Sequence, residues 1–241
     1  MVMATNAMSV PGTGRAKLFS GWIVAGLLVL HLATLTVVHY VAGPMLGLSP
    51  ASPDLIAATI VIGAAVVLAL VSRDLGAADR RRRILAVLPS PDGRTVLTTV
   101  GGLAISQIPL AILALQGNTI WQMGTAEKLA IGKALAASGG ASSIALVAAT
   151  VVVAPVVEEL LYRGYLLGAL RERMPGFAAV LLSALLFVFV LHFEPANLVA
   201  ALCLGLATGW CALRTQSLLP GMIVHVVSNA FGLWYLSVAA G

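Results

Sequence analysis

Charge is what this sequence most conspicuously lacks. Asp, Glu, Lys and Arg make up 10% of its 241 residues, against about 25% in soluble domains. With 60% hydrophobic residues and a mean hydropathy of +1.02, the chain has too few polar side chains to cover a water-facing surface. A soluble globular fold is excluded. Also missing are strands of roughly 10 residues with alternating polarity, which excludes a transmembrane β-barrel. There are only two cysteines, Cys203 and Cys211, eight positions apart in one apolar run. On a helix they lie about 12 Å apart, beyond the ~7 Å Cα limit for a disulfide, so they are read as packing residues. Lysine is scarce, with three among the 14 basic residues. Set beside abundant Ala, Val, Gly and Arg, this bias points to a GC-rich prokaryotic genome. The net charge of +5 is no sign of nucleic-acid binding, because the basic residues stand at the ends of apolar runs, as membrane orientation requires.

What the sequence does have is long apolar runs, several near the ~20 residues needed to cross a bilayer as a helix. Seven spans are predicted at roughly 20–41, 54–72, 95–116, 141–164, 176–193, 196–213 and 217–238, with ends uncertain by ~2–4 residues. The fold class is all-α, a polytopic membrane helix bundle of about seven transmembrane helices. The first span follows Arg15 and Lys17, yet it exceeds the ~7–15 residues of a signal-peptide core and no A-x-A site closes it. It reads as an uncleaved anchor. With the N-terminus inside, the inner segments carry Arg15, Lys17, Arg73, Arg80 to Arg83, Arg94, Arg171, Arg173 and Arg214, and the outer segments only Lys128 and Lys133. A multi-pass protein of the cell membrane is expected, N-terminus cytoplasmic and C-terminus outside. The cytoplasmic "RRRR" is read as topogenic, with anionic lipid as the other reading. "GNTIWQMGTAEKLAIGKALAAS" suggests an amphipathic helix on the outer surface. Gly164 with Gly168, and Gly205 with Gly209, have small-xxx-small spacing that favours close helix contact.

Against this background "VVEELLYRGYLLG" stands out, since it places Glu158, Glu159 and Arg163 inside an apolar helix. A charged residue at a helix centre costs ~2.5–3.5 kcal/mol on insertion scales, so such residues are functional candidates. Glu159 and Arg163 are spaced i,i+4 and can pair on one face. Glu158 points ~100° away, an acid left over that is suited to taking a proton from water. In "GMIVHVVSNAF", His225 and Asn229 are again i,i+4, and both can donate to one oxygen anion; alternatively they are an interhelical hydrogen-bonding pair. His192 in "LFVFVLHFEP" ends the fifth span and alone reads as an interfacial histidine. His31, in mid-span, is expected to bond a neighbouring helix rather than enter the chemistry. Trp22 and Trp121 are candidates for the interfacial belt.

The combination resembles the CAAX prenyl protease type II family, the CPBP or Abi group of intramembrane proteases. That family's pattern is E-E-x-x-x-R, then F-x-x-x-H, then H-x-x-x-N/D on successive helices of a four-helix core. Here "EELLYR" and "HVVSN" are intact and in order, whereas the position four before His192 holds Val188, with Phe187 and Phe189 on either side. The resemblance covers about 140–241. Residues 1–139 carry no such motif and read as accessory transmembrane helices, leaving 140–241 as the catalytic core. What the resemblance implies is hydrolysis of a peptide bond in a membrane-embedded or lipid-linked peptide. Glu158 would be the general base, His192 would help hold the water, and His225 and Asn229 would stabilise the oxyanion. Glu159 and Arg163 would be structural or positioning. No cofactor is expected. The alternative is a zinc site with Glu158, His192 and His225 as ligands, although no H-E-x-x-H is present. Rival functions are a non-enzymatic scaffold or immunity-type protein that binds partner membrane proteins, and a proton-coupled transporter, for which no broken-helix repeat is visible.

One difficulty remains at this stage. Along straight helices Glu158 and His192 each lie about 25 Å from the turn near Pro175, but His225 lies only about 13 Å from the turn near Gln216. Convergence of the three therefore requires the fourth and fifth helices to extend beyond the membrane or to tilt strongly. Proline at position 155 is expected to free a backbone carbonyl one turn upstream, bending the helix or admitting water.

Overall fold

The computed structural model describes residues 21–76, 92–115, 140–192 and 198–240, and these contain helices and turns with no strand. The helices are α1 (Gly21–Met45), α2 (Pro53–Gly76), α3 (Gly93–Ser106), α4 (Ile108–Leu115), α5 (Ala141–Arg171), α6 (Gly176–Leu191), α7 (Leu198–Thr215) and α8 (Leu219–Ala240). The all-α bundle is as the apolar runs predict. Helices α1, α2, α5 and α7 are long and apolar enough to cross a membrane, and α6 and α8 hold shorter apolar stretches. The third expected span departs from a single helix. It breaks at Gln107, because Pro109 can donate no backbone N–H to the turn before it. Gln107 stands at the break, its Nε2 donating to the hydroxyls of Ser106 and Ser228, each at 3.2 Å. The "RRRR" run, Trp121 and the expected amphipathic segment lie outside the described residues.

Helix α7 is packed by α3, α6 and α8, and its glycines explain how closely. A Cβ on Gly205 would stand 3.0 Å from the Ala184 Cβ, and one on Gly209 would stand 2.9 Å from Val180 Cγ1. The small-xxx-small spacing is thus the seam between α6 and α7. On the other side Trp210 and Cys211 sit over Gly101 and Gly102 of α3. Both cysteines are free thiols.

The outer and inner helices differ sharply. Helix α1 turns Trp22, Val29 and Tyr40 outward, as expected of a helix bathed in lipid. In α5, every residue from Leu160 to Leu166 is buried, so this stretch is walled off on all sides. It is also a π-helical turn, and a second π turn, Ala149–Val153, lies further up α5. Each π turn carries more residues per unit of axial length than an α-helix and re-aims the side chains that follow.

Candidate active site: two glutamates on one histidine

Three charged residues of α5, Glu158, Glu159 and Arg163, sit at and within its enclosed stretch. Glu159 is fully buried and Arg163 nearly so. Oε1 of Glu159 is ion-paired with Arg163, 3.1 Å from Nη1, and hydrogen-bonded to His225 Nδ1 at 3.0 Å. The other arm of the guanidinium, Nη2, donates to the carbonyl of Gly205 at 3.2 Å. That carbonyl is within reach because Gly205 lets α7 close on its neighbours. The guanidinium also lies over the ring of Phe187, its Cζ 4.6 Å from the centroid, where a cation is favoured by the ring's negative face. Gly221 of α8 completes the enclosure. A Cβ there would stand 3.1 Å from Oε2 of Glu159.

His225 lies between the two carboxylates. A carboxylate only accepts, so Nδ1 must carry the proton it shares with Glu159. This leaves Nε2 facing Glu158, 3.6 Å from Oε2. The same Oε2 lies 3.8 Å from Nε2 of His192. Both separations exceed a hydrogen bond, so a water resting on Oε2 can also touch a ring nitrogen. Exposure divides the cluster. The side chains of Glu159 and His225 are 0% and 1% accessible, those of Glu158 and His192 13% and 27%. A dry inner pair thus backs an outer pair that water and substrate can reach.

Glu158, His192 and His225 converge despite the unequal depths expected from straight helices, and the π turn at Leu160–Leu166 shortens part of the path from Glu158 to the lower end of α5. Arg171 there donates from Nη1 to Gln216 Oε1 at 3.2 Å, which sets that end level with the turn between α7 and α8. His192 has already left the helix, with φ −127° and ψ 31°. Its ring folds back onto Phe187 at a centroid distance of 4.5 Å. The same fold-back accounts for the phenylalanine shifted by one position. Phe187, at 0% exposure, is the aromatic under the site. It touches His192, His225 at 5.9 Å and Tyr162 at 5.2 Å. Phe189 faces outward, 57% exposed.

Asn229 has a partner that its spacing alone does not reveal. In the upper π turn of α5 the amide of Ala154 bonds Ala149 O. The next donor in that register would be residue 155, a proline without an N–H. The Thr150 carbonyl is therefore left open, and Asn229 Nδ2 donates to it at 3.0 Å. The carbonyl released by Pro155 is thus taken up by α8. Sequence reasoning missed Thr150 and the Gly205 carbonyl because a main-chain acceptor leaves no mark in residue type. Gly221, four residues before His225, is a visible signal of close approach.

The helical bundle thus brings together a glutamate–arginine pair, a second glutamate and two histidines from separate helices. Residues 140–231 match the family described as type II CAAX prenyl endopeptidase Rce1-like, and this segment is similar to that family of peptidases. No curated protein and no solved structure matches the chain. As for the zinc alternative, no group of three or more His, Cys, Asp or Glu side chains among the described residues is arranged to hold a metal ion.

Proposed function

We propose that the protein is an intramembrane endopeptidase that cleaves a membrane-embedded or lipid-linked peptide with water activated by Glu158. The observation that supports this reading is the position of Glu158 Oε2, 3.6 and 3.8 Å from the Nε2 atoms of His225 and His192, at the accessible edge of an otherwise dry cluster. Glu158 takes a proton from the water as its oxygen attacks the peptide carbonyl carbon. His192 holds that water. The resulting oxyanion accepts from Asn229, whose carboxamide has a second N–H besides the one given to Thr150, and from His225 when Nε2 carries a proton in addition to the one Nδ1 gives Glu159. The proton on Glu158 then passes to the amide nitrogen as the C–N bond breaks, leaving one fragment ending in a carboxylate and the other in an amine. Glu159 and Arg163 position His225 and never touch substrate. No step is routed through a metal.

The chain is placed in the bilayer with its N-terminus in the cytoplasm and its C-terminus outside, on the strength of the eleven-to-two distribution of basic residues. The test of activity uses the full chain in lipid nanodiscs, with a prenylated peptide ending in a C-A-A-X sequence and an unmodified transmembrane peptide. Mass spectrometry in ¹⁸O-water follows the products. The expected result is cleavage of at least one peptide, one ¹⁸O in the new carboxylate, and loss of turnover in Glu158→Gln. Full turnover in folded Glu158→Gln would refute the role of Glu158, and no cleavage of either peptide by the wild type would favour the non-enzymatic scaffold.

A further inference from the structure

Within Gly21–Val37 of α1, two residues are buried, and one of them is a histidine: Val24 and His31. Its neighbours Val29, Leu30 and Leu32 are exposed, so α1 turns its histidine inward and its aliphatic side chains toward lipid. That is the arrangement lipid solvation favours, and an intramembrane histidine turned inward asks for a polar partner. Part of the answer is α2. His31 is hydrogen-bonded to the Gly63 carbonyl, and a Cβ on Gly63 would stand 3.4 Å from the ring's Cε1. The expected bond to a neighbouring helix is therefore present.

It does not account for the whole ring. Nδ1 of His31 is buried and has no hydrogen-bond partner, and a buried polar atom left over calls for an explanation. The neighbourhood offers one. Helix α1 packs against the Leu160–Leu166 turn of α5, and His31 and Glu158 stand within electrostatic reach of each other. His192 and His225 stand beside Glu158, and His31 of α1 is a third imidazole within electrostatic reach of it.

We propose that His31 is a positioning residue for Glu158, its Nδ1 accepting from a water that also donates to the Glu158 carboxylate. The inference rests on the reading of Glu158 as the base and extends the site beyond the core to an accessory helix. A water with two polar partners in a buried polar gap is ordinary protein structure. Here it fixes the direction from which the carboxylate meets the reacting water.

Two substitutions separate positioning from packing. His31→Phe keeps a ring against Gly63 but offers no lone pair. His31→Asn loses ring volume but puts an oxygen where Nδ1 stands. On the peptide that the wild type cleaves, His31→Phe is expected to lower kcat by about 10²-fold, the usual penalty for a misplaced reacting group, with KM within about 2-fold. His31→Asn is expected to recover most of that loss. A packing role orders them oppositely, with Phe tolerated and Asn impaired, and that order overturns the proposal. A second measurement needs no substrate: the infrared band of Glu158, identified by its disappearance in Glu158→Gln, in nanodiscs at one fixed pH. It should move in His31→Phe and return in His31→Asn. A band unmoved in both also overturns the proposal. If the wild type cleaves no peptide, the functional reading falls by itself, and the band still decides whether His31 is tied to Glu158.

Discussion

The buried pair between Glu159 and Arg163 makes a sharp prediction about stability. At 3.1 Å and an effective dielectric of about 20, the two charges attract by about 5 kcal/mol. Neither side chain has any exposed surface, so removing one partner strands the other. Each single variant, Glu159→Gln or Arg163→Met, is expected to cost about 3–5 kcal/mol. The lower end is favoured because each stranded charge keeps something. Glu159 retains His225 Nδ1, and Arg163 retains the Gly205 carbonyl and the Phe187 face. The double variant strands no charge, so its cost should be close to that of one single rather than to the sum. This gives a coupling of about 3 kcal/mol. Arg163→Lys should fall between, since one ammonium cannot span both acceptors as the fork does. Reversible unfolding from mixed micelles, followed by tryptophan fluorescence, measures all four corners of the cycle. Trp210 sits over Gly101 of α3 and reports the packing around α7. A coupling below about 1 kcal/mol, the range of exposed pairs, would refute the enclosed ion pair and with it the dry half of the site.

The aromatic floor yields a second contrast. Phe187→Ala should cost about 3–5 kcal/mol and abolish turnover, whereas Phe189→Ala, on the outward face, should stay within about 0.5 kcal/mol; thermal unfolding in detergent measures both. The seam between α6 and α7 predicts that Gly205→Ala destabilises by about 1–3 kcal/mol. Its Cβ would meet Ala184 backbone at 3.2 Å, which cannot swing aside. Gly26→Ala, with nothing within 4 Å, should be neutral or stabilise by about 0.5–1 kcal/mol. At the start of α3, Asp92 Oδ1 accepts the Thr95 amide at 2.7 Å, which holds its carboxyl below the usual aspartate range. That contribution is present above the ordinary aspartate pKa of about 3.9 and is lost as pH falls through the lower folded value. The protection factor of the Thr95 amide should therefore drop only below about pH 4. Asp92→Asn should flatten this response, and equal pH dependence in both proteins would refute the cap's titration.

The bundle was legible because apolar length is a property of composition and needs no knowledge of neighbours. The pair of Glu159 and Arg163 was legible for a related reason, since i,i+4 spacing on a helix is set by the chain alone. What could not be read were the departures from regular helix. Counting at a uniform rise per residue put Glu158, His192 and His225 at unequal depths. Two local irregularities lie on the paths so counted: the π turn over Leu160–Leu166 and the exit of His192 from α6. The shift of Phe187 from its expected place has the same origin, because spacing along a helix no longer measures distance once the histidine has left it. His31 was legible as a residue needing a partner, but its direction depends on how α1 lies on α5, and no pattern within α1 carries that.

Two acids against one arginine looked like an imbalance when only α5 was in view. The missing member comes from α8. Because His225 has two nitrogens on opposite sides of one flat ring, it meets the inner glutamate with Nδ1 and turns Nε2 to the outer one. The division of labour between Glu158 and Glu159 therefore comes from surroundings, since the two side chains are chemically identical. Glu159 is enclosed by Arg163, His225 and the close approach of Gly221, which holds it as a fixed charge. Glu158, one residue earlier and ~100° around the helix, meets only imidazoles at separations longer than a hydrogen bond. A carboxylate held that loosely, at the accessible edge of the cluster, is the one free to exchange a proton with water. In the proposed mechanism the adjacent glutamates divide into an anchor and a base because the helix turns between them and only one of the two directions is closed.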